Sequence, residues 1–520
     1  MSRLPPLHPF AEIPQPSGAL LSDLRRTTGV EAISISPRDR VEAARDMWPK
    51  GILWRRKGLM PRPPEAVVYP KDTEEVSRIL RFASERAIPV VPVGGRSGVL
   101  GALVPMRPNT LALDTRRLSQ IHAPDRERME AAAGAGVVGL DFERMLRAEG
   151  FTLGHAPASI GGSTVGGWIA TRSAGQNSSR YGKIEDMVVE AECVLGTGEV
   201  VRPSRPVPGT DWLEVFAGNE GSLAVITEAT FRIWPLPEAS IGAARRFPDL
   251  EHGVQALREI FQAGYRPSVA RLYDPLDSML ALRPSRESGA PAPPPGMREL
   301  EPREARPAPL RMLWNLAMRQ PQALNRLARL RRSVLLVLLH EGERWEAKAE
   351  ARAIAEICRR NEGRDLGEGP ADRWLRHRWD VSRNFPLVFE LGGWVDTLEV
   401  AIGWSGVVRL HEAVRAAVSP HAFCMAHLSH AYPDGCSIYF TLLGAAEDVD
   451  RGIEQYDAAW AAALAAARKE GATISHHHGV GLQKAEALAE ELGEKGVEVL
   501  RALQRACDPV GILSPGKWKT

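Results

Sequence analysis

The residues best suited to chemistry lie in the last hundred positions of the chain. His476-His477-His478 is followed by Gly479 and Gly481. Imidazoles can hydrogen-bond, polarise a neighbour or move a proton near neutral pH. Adjacent side chains project in different directions, so one metal ion taking all three is disfavoured; the glycines suit a turn that faces a ligand, and an ordinary polar loop is the plain alternative. Tyr439 sits in the apolar run Ser437-Ile438-Tyr439-Phe440-Thr441. A phenol with a reference pKa near 10 is a poor base at pH 7 unless positive charge nearby lowers it, and the histidine run is the expected source of that polarisation. Arg383 carries a guanidinium fork that suits phosphate, with a surface ion pair as the alternative. His427 and His430 stand a few residues before Tyr439 and could polarise a hydroxy acid or an alcohol.

Three stretches of small residues could hold a ligand against main chain. Pro92-Val93-Gly94-Gly95-Arg96-Ser97-Gly98-Val99 follows a predicted strand. It has neither the G-x-G-x-x-G spacing of a dinucleotide fingerprint nor the Lys-Ser/Thr pair of a P-loop. Its backbone N–H groups can still converge on an anion, since glycine allows close approach and positive φ. Ser163, Thr164, Gly166 and Gly167 lead a second stretch that continues through Thr171-Arg172-Ser173-Ala174. The third runs Glu220-Gly221-Ser222-Leu223-Ala224-Val225-Ile226. Three such loops within one window suggest a long ligand, and a dinucleotide fits: a pyrophosphate on one loop, ring edges on the others.

The elements around these loops alternate. Ala66–Tyr69 reads as a strand, and Asp72 with Glu75 opens a helix in the manner of a capping box. Ile88–Val93 reads as a buried strand, and short strands follow near Thr110–Asp114, Met129–Ala133, Met187–Leu195, Glu199–Arg202 and Leu223–Trp234. A strand pair is expected near Trp394–Trp404 and Ser437–Leu443, and a helix over Ala458–Lys469. The expected division is a lead-in over 1–60, whose Trp48 and Trp54 pack on something else, then 61–240, 241–445 and a tail, 446–520. Residues 284–309 are rich in Pro, Arg and Ala and are expected to be mobile. Residues 305–340 hold no Asp or Glu. Within 305–332, arginines alternate with leucines, tryptophan and methionines, as in a helix on anionic lipid or in a packed helix with a solvated Arg face.

Composition narrows the class. Among 520 residues, Lys+Arg is 66 and Asp+Glu is 64, a net charge of +2, so a dedicated nucleic-acid binder is not expected. Five scattered cysteines (Cys193, Cys358, Cys424, Cys436, Cys507) contain no C-x-x-C and predict buried thiols in a reducing compartment. The longest clean apolar run, Val334–Leu339, is far below the roughly 20 residues of a membrane span. No signal peptide and no peroxisomal or retention tail is legible, so a cytoplasmic protein is expected, peripheral on a membrane if 305–332 touches lipid.

PVGGRSGVLG, STVGGWIATRSAG, RYGKIEDMVVEAECVLGTGEV, GNEGSLAVITEAT and ISHHHGVGLQK together resemble the vanillyl-alcohol oxidase superfamily, and within it the alkyldihydroxyacetonephosphate (alkylglycerone-phosphate) synthases. The resemblance implies an α+β fold: a two-subdomain PCMH-type FAD-binding domain plus an α+β cap domain with an antiparallel sheet. It implies noncovalent FAD. Pro92 through Val99 would hold the pyrophosphate; Ser163, Thr164, Thr171, Arg172, Ser173 and Ala174 the flavin and ribityl side; and Glu220 through Ile226 the adenine end. It implies a catalytic role for Tyr439 with His476, His477 and His478, and places Arg383 near the family's substrate-phosphate arginine. His427 stands where that family has a second arginine, which puts the phosphate substrate in question. The implied reaction exchanges the acyl group of acyl-dihydroxyacetone phosphate for a fatty alcohol. The competing reading is oxidation of a 2-hydroxy acid or alcohol. The expected partner is therefore a lipid-like or hydroxy-acid substrate; no metal is implied, and a homodimer is compatible with a sequence that does not set the oligomeric state.

Overall fold

The computed structural model describes the chain apart from residues 1–3, 11–12, 206–210, 282–292, 303–306, 329, 331 and 519–520. Much of the predicted mobile segment, 284–309, therefore lies outside the described residues.

The first glycine loop is positioned by a small four-stranded sheet. Ala66–Val68 and Val90–Val93 both run parallel to Leu111–Asp114, which lies between them, and Ile33–Ser34 closes the other edge antiparallel. The strands are apolar on both faces, as parallel strands under helical cover must be. The helix Thr73–Glu85 makes the crossover. Asp72 caps it by accepting from the Glu75 N–H at 2.8 Å, and Val76, Ile79, Leu80 and Ala83 are fully buried beneath it. Strand Val90–Val93 thus ends where the backbone must turn, and the loop from Gly94 opens there.

A second four-stranded sheet, all antiparallel, orders Val200–Val201, Val188–Leu195, Ala224–Arg232 and Glu130–Gly134. It places the start of Ala224–Arg232, and with it the third small-residue stretch, opposite the second. The short helix Val165–Ala170 lies against the same sheet and carries the second stretch at its N-terminal end.

The cap is a seven-stranded antiparallel sheet. Its order is Arg364–Asp365, Ala239–Phe247, Val334–Gly342, Val269–Tyr273, Phe423–Ala431, Gly435–Ala445 and Gly393–Gly403. The apolar run at 334–339 is an interior strand buried along its length. The pair predicted near Trp394–Trp404 and Ser437–Leu443 is present in register, with Val400 opposite Ile438 and Glu399 opposite Tyr439.

The lead-in and the tail close the molecule. Trp48 is 1% exposed, meets Trp54 edge to face, and donates from Nε1 to Tyr456 and Gln483. The tail forms helices Val449–Lys469 and Ala485–Cys507, the latter interrupted at Gly493, and then returns to the first sheet, where Ser514 N–H donates to Val90 O at 2.8 Å. All five cysteines are buried and free. Among the described residues no helix is long and apolar enough to cross a membrane.

Candidate active site

The three small-residue stretches meet on one cavity of about 820 Å³. Pro92 through Val99 line it continuously, joined by Ser163, Thr164, Thr171, Ser173 and Ala174, and by Glu220, Gly221 and Ala224 through Ile226. Close approach explains the glycines. A Cβ on Gly95 would lie 2.2 Å from the Gly162 carbonyl, and one on Gly94 would lie 2.5 Å from Thr164 Oγ1. Gly95 N–H also donates to Thr164 Oγ1 at 3.2 Å, so the first two loops are stitched together. The cradle is open backbone of the kind an extended phosphate-bearing ligand needs.

Three of the expected ligand contacts turn elsewhere. Arg172, at φ +52°, directs its guanidinium away from the cavity onto the carbonyls of Ala217 and Glu214, at 3.1 and 3.0 Å. Ser222 and Leu223 are each 2% exposed and face the interior of the sheet.

Glu220 has a further duty. Its buried carboxylate accepts from the N–H groups of Val480 and Gly481 and from Trp518 Nε1, each near 3.1 Å. Burial raises its pKa against those hydrogen bonds. The carboxylate therefore ties the third loop to the glycine turn behind the histidines.

The histidine run is held by a group that the sequence reading did not single out. Glu399, fully buried, accepts from the N–H of His476 and His478, from Ser475 Oγ and from Lys484 Nζ at 2.8 Å. Burial works to raise this carboxyl, but Lys484, His478 and the N–H donors outweigh it and hold it at about 2. The available signal was an acid inside the apolar run Trp394–Trp404. His477 and His478 reach the cavity wall; His476 sits behind them against Tyr432.

Tyr439 lines the cavity beneath these imidazoles. Its ring stacks on His427, centroids 4.9 Å apart and planes within 21°, and meets His478 edge-on at 5.5 Å. The hydroxyl donates to Thr397 Oγ1 at 2.9 Å. The expected polarisation by the histidines is not found. Burial pushes the phenol up to about 12, and burial likewise brings His476 and His478 down to about 4 and His477 well below its usual value. Neutral imidazoles cannot lower a neighbouring phenol as cations would.

His427 is not free to meet substrate directly. Its Nε2 accepts from Arg271 Nη2 at 2.5 Å and its Nδ1–H donates to Asp277 Oδ2 at 3.1 Å. The tautomer follows, because a guanidinium can only donate. Arg271, on Val269–Tyr273, and Asp277, on the helix Pro275–Ala281, were both missed; a lone Arg in a buried apolar strand was the sign. Arg271 lines the cavity, and its Nε–H is buried without an acceptor among the described residues. His430, at φ +53° beside a register shift in its strand, bonds Ser178 Oγ at 2.6 Å and also lines the cavity. Arg383 lies on the helix Asp380–Glu390, and its side chain is outside the described residues.

Residues 64–204 match the FAD binding domain, and residues 236–518 match the C-terminal domain of FAD linked oxidases. The chain belongs to the FAD-linked oxidases. It is 28% identical over 473 residues to the alkyldihydroxyacetonephosphate synthase of Dictyostelium discoideum, covering 89% of this chain and 74% of that one. It is 26% identical over 459 residues to the glycolate oxidase subunit GlcD of Bacillus subtilis (strain 168), covering 87% and 88%. A solved alkyldihydroxyacetonephosphate synthase structure superposes with a TM-score of 0.77 at 24% identity, covering 99% and 88%, which shows the fold. The chain is an FAD-dependent enzyme with the PCMH-type α+β fold, and FAD is its cofactor.

Proposed function

We propose that this enzyme exchanges the acyl group of acyl-dihydroxyacetone phosphate for a fatty alcohol, the ether-forming step of ether-lipid synthesis. The observation that carries the reading is the mixed lining of the cavity. It combines Arg271, Tyr439 and the imidazoles with the apolar side chains of Met47, Ile52, Phe385, Val388, Phe389 and Leu443. A substrate with an oxyanion and a long alkyl chain fits that combination.

In this reading FAD is noncovalent and rests on Pro92 through Val99, Ser163, Thr164, Thr171, Ser173, Ala174 and the backbone from Glu220 to Ile226. When bound, it supplies a reversible electron sink at its isoalloxazine ring. The chain's own groups orient the substrate. Arg271 takes the oxyanion, Tyr439 donates from its hydroxyl, and the apolar side chains exclude water from the chain. Residues 61–240 serve as the flavin domain and 241–445 as the cap.

The helix Ala308–Met318 supports a lipid-facing entrance. It exposes Leu310, Met312 and Leu316, at 50%, 73% and 64%, beside Arg311 and Arg319. Its Trp314 packs against the core of the cap, a cluster that includes Val388 and Phe389, which also line the cavity.

A second reading, oxidation of a 2-hydroxy acid, draws on the Asp277–His427 pair, which suits a hydroxyl proton. Anaerobic bleaching separates the two. Palmitoyl-dihydroxyacetone phosphate should bleach the flavin; bleaching by D-lactate or glycolate alone would replace exchange by oxidation.

A further inference from the structure

We propose that His427 is the proton acceptor of the reaction, and that the substrate's oxyanion releases it by drawing Arg271 off its Nε2. The inference deepens the proposed function and rests on it for the identity of the substrate.

The phenol is poorly placed for the role. Its hydroxyl is a donor to Thr397, in apolar surroundings that favour the neutral form. His427 has the features of a held base. Asp277 fixes its Nδ1–H, so its lone pair lies on Nε2, and the Tyr439 ring fixes its plane. Among the described residues, Arg271 is the partner of that lone pair.

Arg271 is in turn incompletely satisfied. Its Nε–H has no acceptor among the described residues, and the side chain faces the cavity. A carboxylate or phosphate oxygen pair matches the Nε/Nη2 edge of a guanidinium as a two-bond fork. Nε–H is shielded from the cavity at rest, so the guanidinium turns to seat the oxyanion, and that turn satisfies the orphan donor and removes Nη2 from His427. The base is then bare only when substrate is present, and its neutral form suits a proton acceptor. The charged and titratable groups around His427 are Arg271 and Tyr273 on one neighbouring strand, Asp274 and Asp277 just after it, His430 on its own strand and Tyr439 on the other.

The step balances. The proton leaves the ester-bearing carbon and bonds to Nε2, and the C–H electron pair stays on the substrate carbon. The imidazolium keeps its Nδ1–H on Asp277. In the exchange reaction the proton returns to the same carbon, so nothing is oxidised overall.

The test uses the FAD-loaded enzyme. Oxyanion affinity is read from the flavin absorbance change on titration with glycerol 3-phosphate, with oxalate as the carboxylate arm. Proton transfer is read as deuterium entering palmitoyl-dihydroxyacetone phosphate in D2O. Arg271→Gln should weaken the oxyanion by about tenfold or more. His427→Gln should keep that affinity within about threefold and lower deuterium entry by about a hundredfold. Asp277→Asn should keep affinity and lower entry by about tenfold, with partial recovery in Asp277→Glu.

His427→Gln losing oxyanion affinity as Arg271→Gln does would make His427 an anion ligand and overturn the proposal. So would deuterium entry unchanged in both His427→Gln and Asp277→Asn. If His427→Gln fails to retain FAD, Asp277→Asn decides by the same criteria. If oxalate binds, glycerol 3-phosphate does not, and a 2-hydroxy acid bleaches the flavin, the exchange reading fails. The role of His427 then stands or falls on whether His427→Gln slows that bleaching at unchanged oxalate affinity.

Discussion

Tyr439 shows what a residue's type leaves open and its contacts decide. A phenol in an apolar strand is compatible with a base or a donor; the Thr397 contact and burial make it a donor. Tyr439→Phe should therefore retain FAD and lose turnover, by about a hundredfold if donation to substrate is its task; full activity with bound flavin would remove it from the mechanism. The buried pair of Glu399 and Lys484 is a second residue-scale case, both side chains being 0% exposed at 2.8 Å. Lys484→Met strands a buried carboxylate and should cost about 3–5 kcal/mol in urea unfolding of the apoprotein. A variant as stable as the parent would show that Glu399 does not depend on Lys484.

At the scale of elements, the loops were readable because glycine and small residues are themselves the requirement. Their backbone was less readable. Arg96, Arg172, Glu220 and His430 all adopt positive φ, at +60°, +52°, +47° and +53°. Non-glycine residues hold such conformations at about 1–3 kcal/mol each, and only where surrounding contacts enforce them. For Glu220 those contacts are Val480, Gly481 and Trp518, so one carboxylate joins an element near residue 220 to two segments of the tail. Glu220→Ala should release the histidine turn. The expected outcome is weaker FAD retention on gel filtration and a lower Tm, since three buried donors lose their acceptor. Ser222 and Leu223 mark the limit of pattern reading: both lie in the turn before the strand Ala224–Arg232 and are buried there, and a stretch of small residues does not say which of its side chains reach the ligand.

The whole molecule gathers neutral imidazoles into buried places, and its stability should report this. Burial brings His155 to about 3, and His476 and His478 to about 4. In the unfolded chain these groups titrate near 6.5, so as pH falls the unfolded state takes up protons first. Stability is complete above that value and is lost as pH drops toward the folded values. For His155 alone, 1% exposed, the loss at pH 5 is about 2 kcal/mol. Glu399 does not offset this, because its contribution is lost only below about 4.5. Burial also raises Asp277 and Asp396 to about 7 and Asp46 to about 6, so the folded state takes up those protons over the same range and offsets part of the loss. Apoprotein Tm should therefore fall between pH 7.5 and 5.0 by less than the rings alone would give, and a Tm that rises over that range would contradict the burial of these rings. The same scale holds the proposed membrane contact. Met312→Asp with Leu316→Asp should reduce binding to anionic liposomes while leaving FAD content unchanged, and unaltered binding would remove this helix as the docking surface.

By itself the sequence determined the local requirements: glycines where backbone must approach a ligand, apolar strands, a capped crossover helix, and a cluster of groups able to move protons. These follow from residue type and short spacing, because sterics and hydrophobic periodicity act over a few residues. Only the tertiary structure decided which of those groups share a wall. Arg271 and Asp277 reach His427 from about 150 positions earlier in the chain, Arg271 because its strand lies beside that of His427 and Asp277 because the helix Pro275–Ala281 follows that strand. Register across strands, together with the dielectric that burial creates, sets contact and charge state, and neither is written in any short stretch of residues.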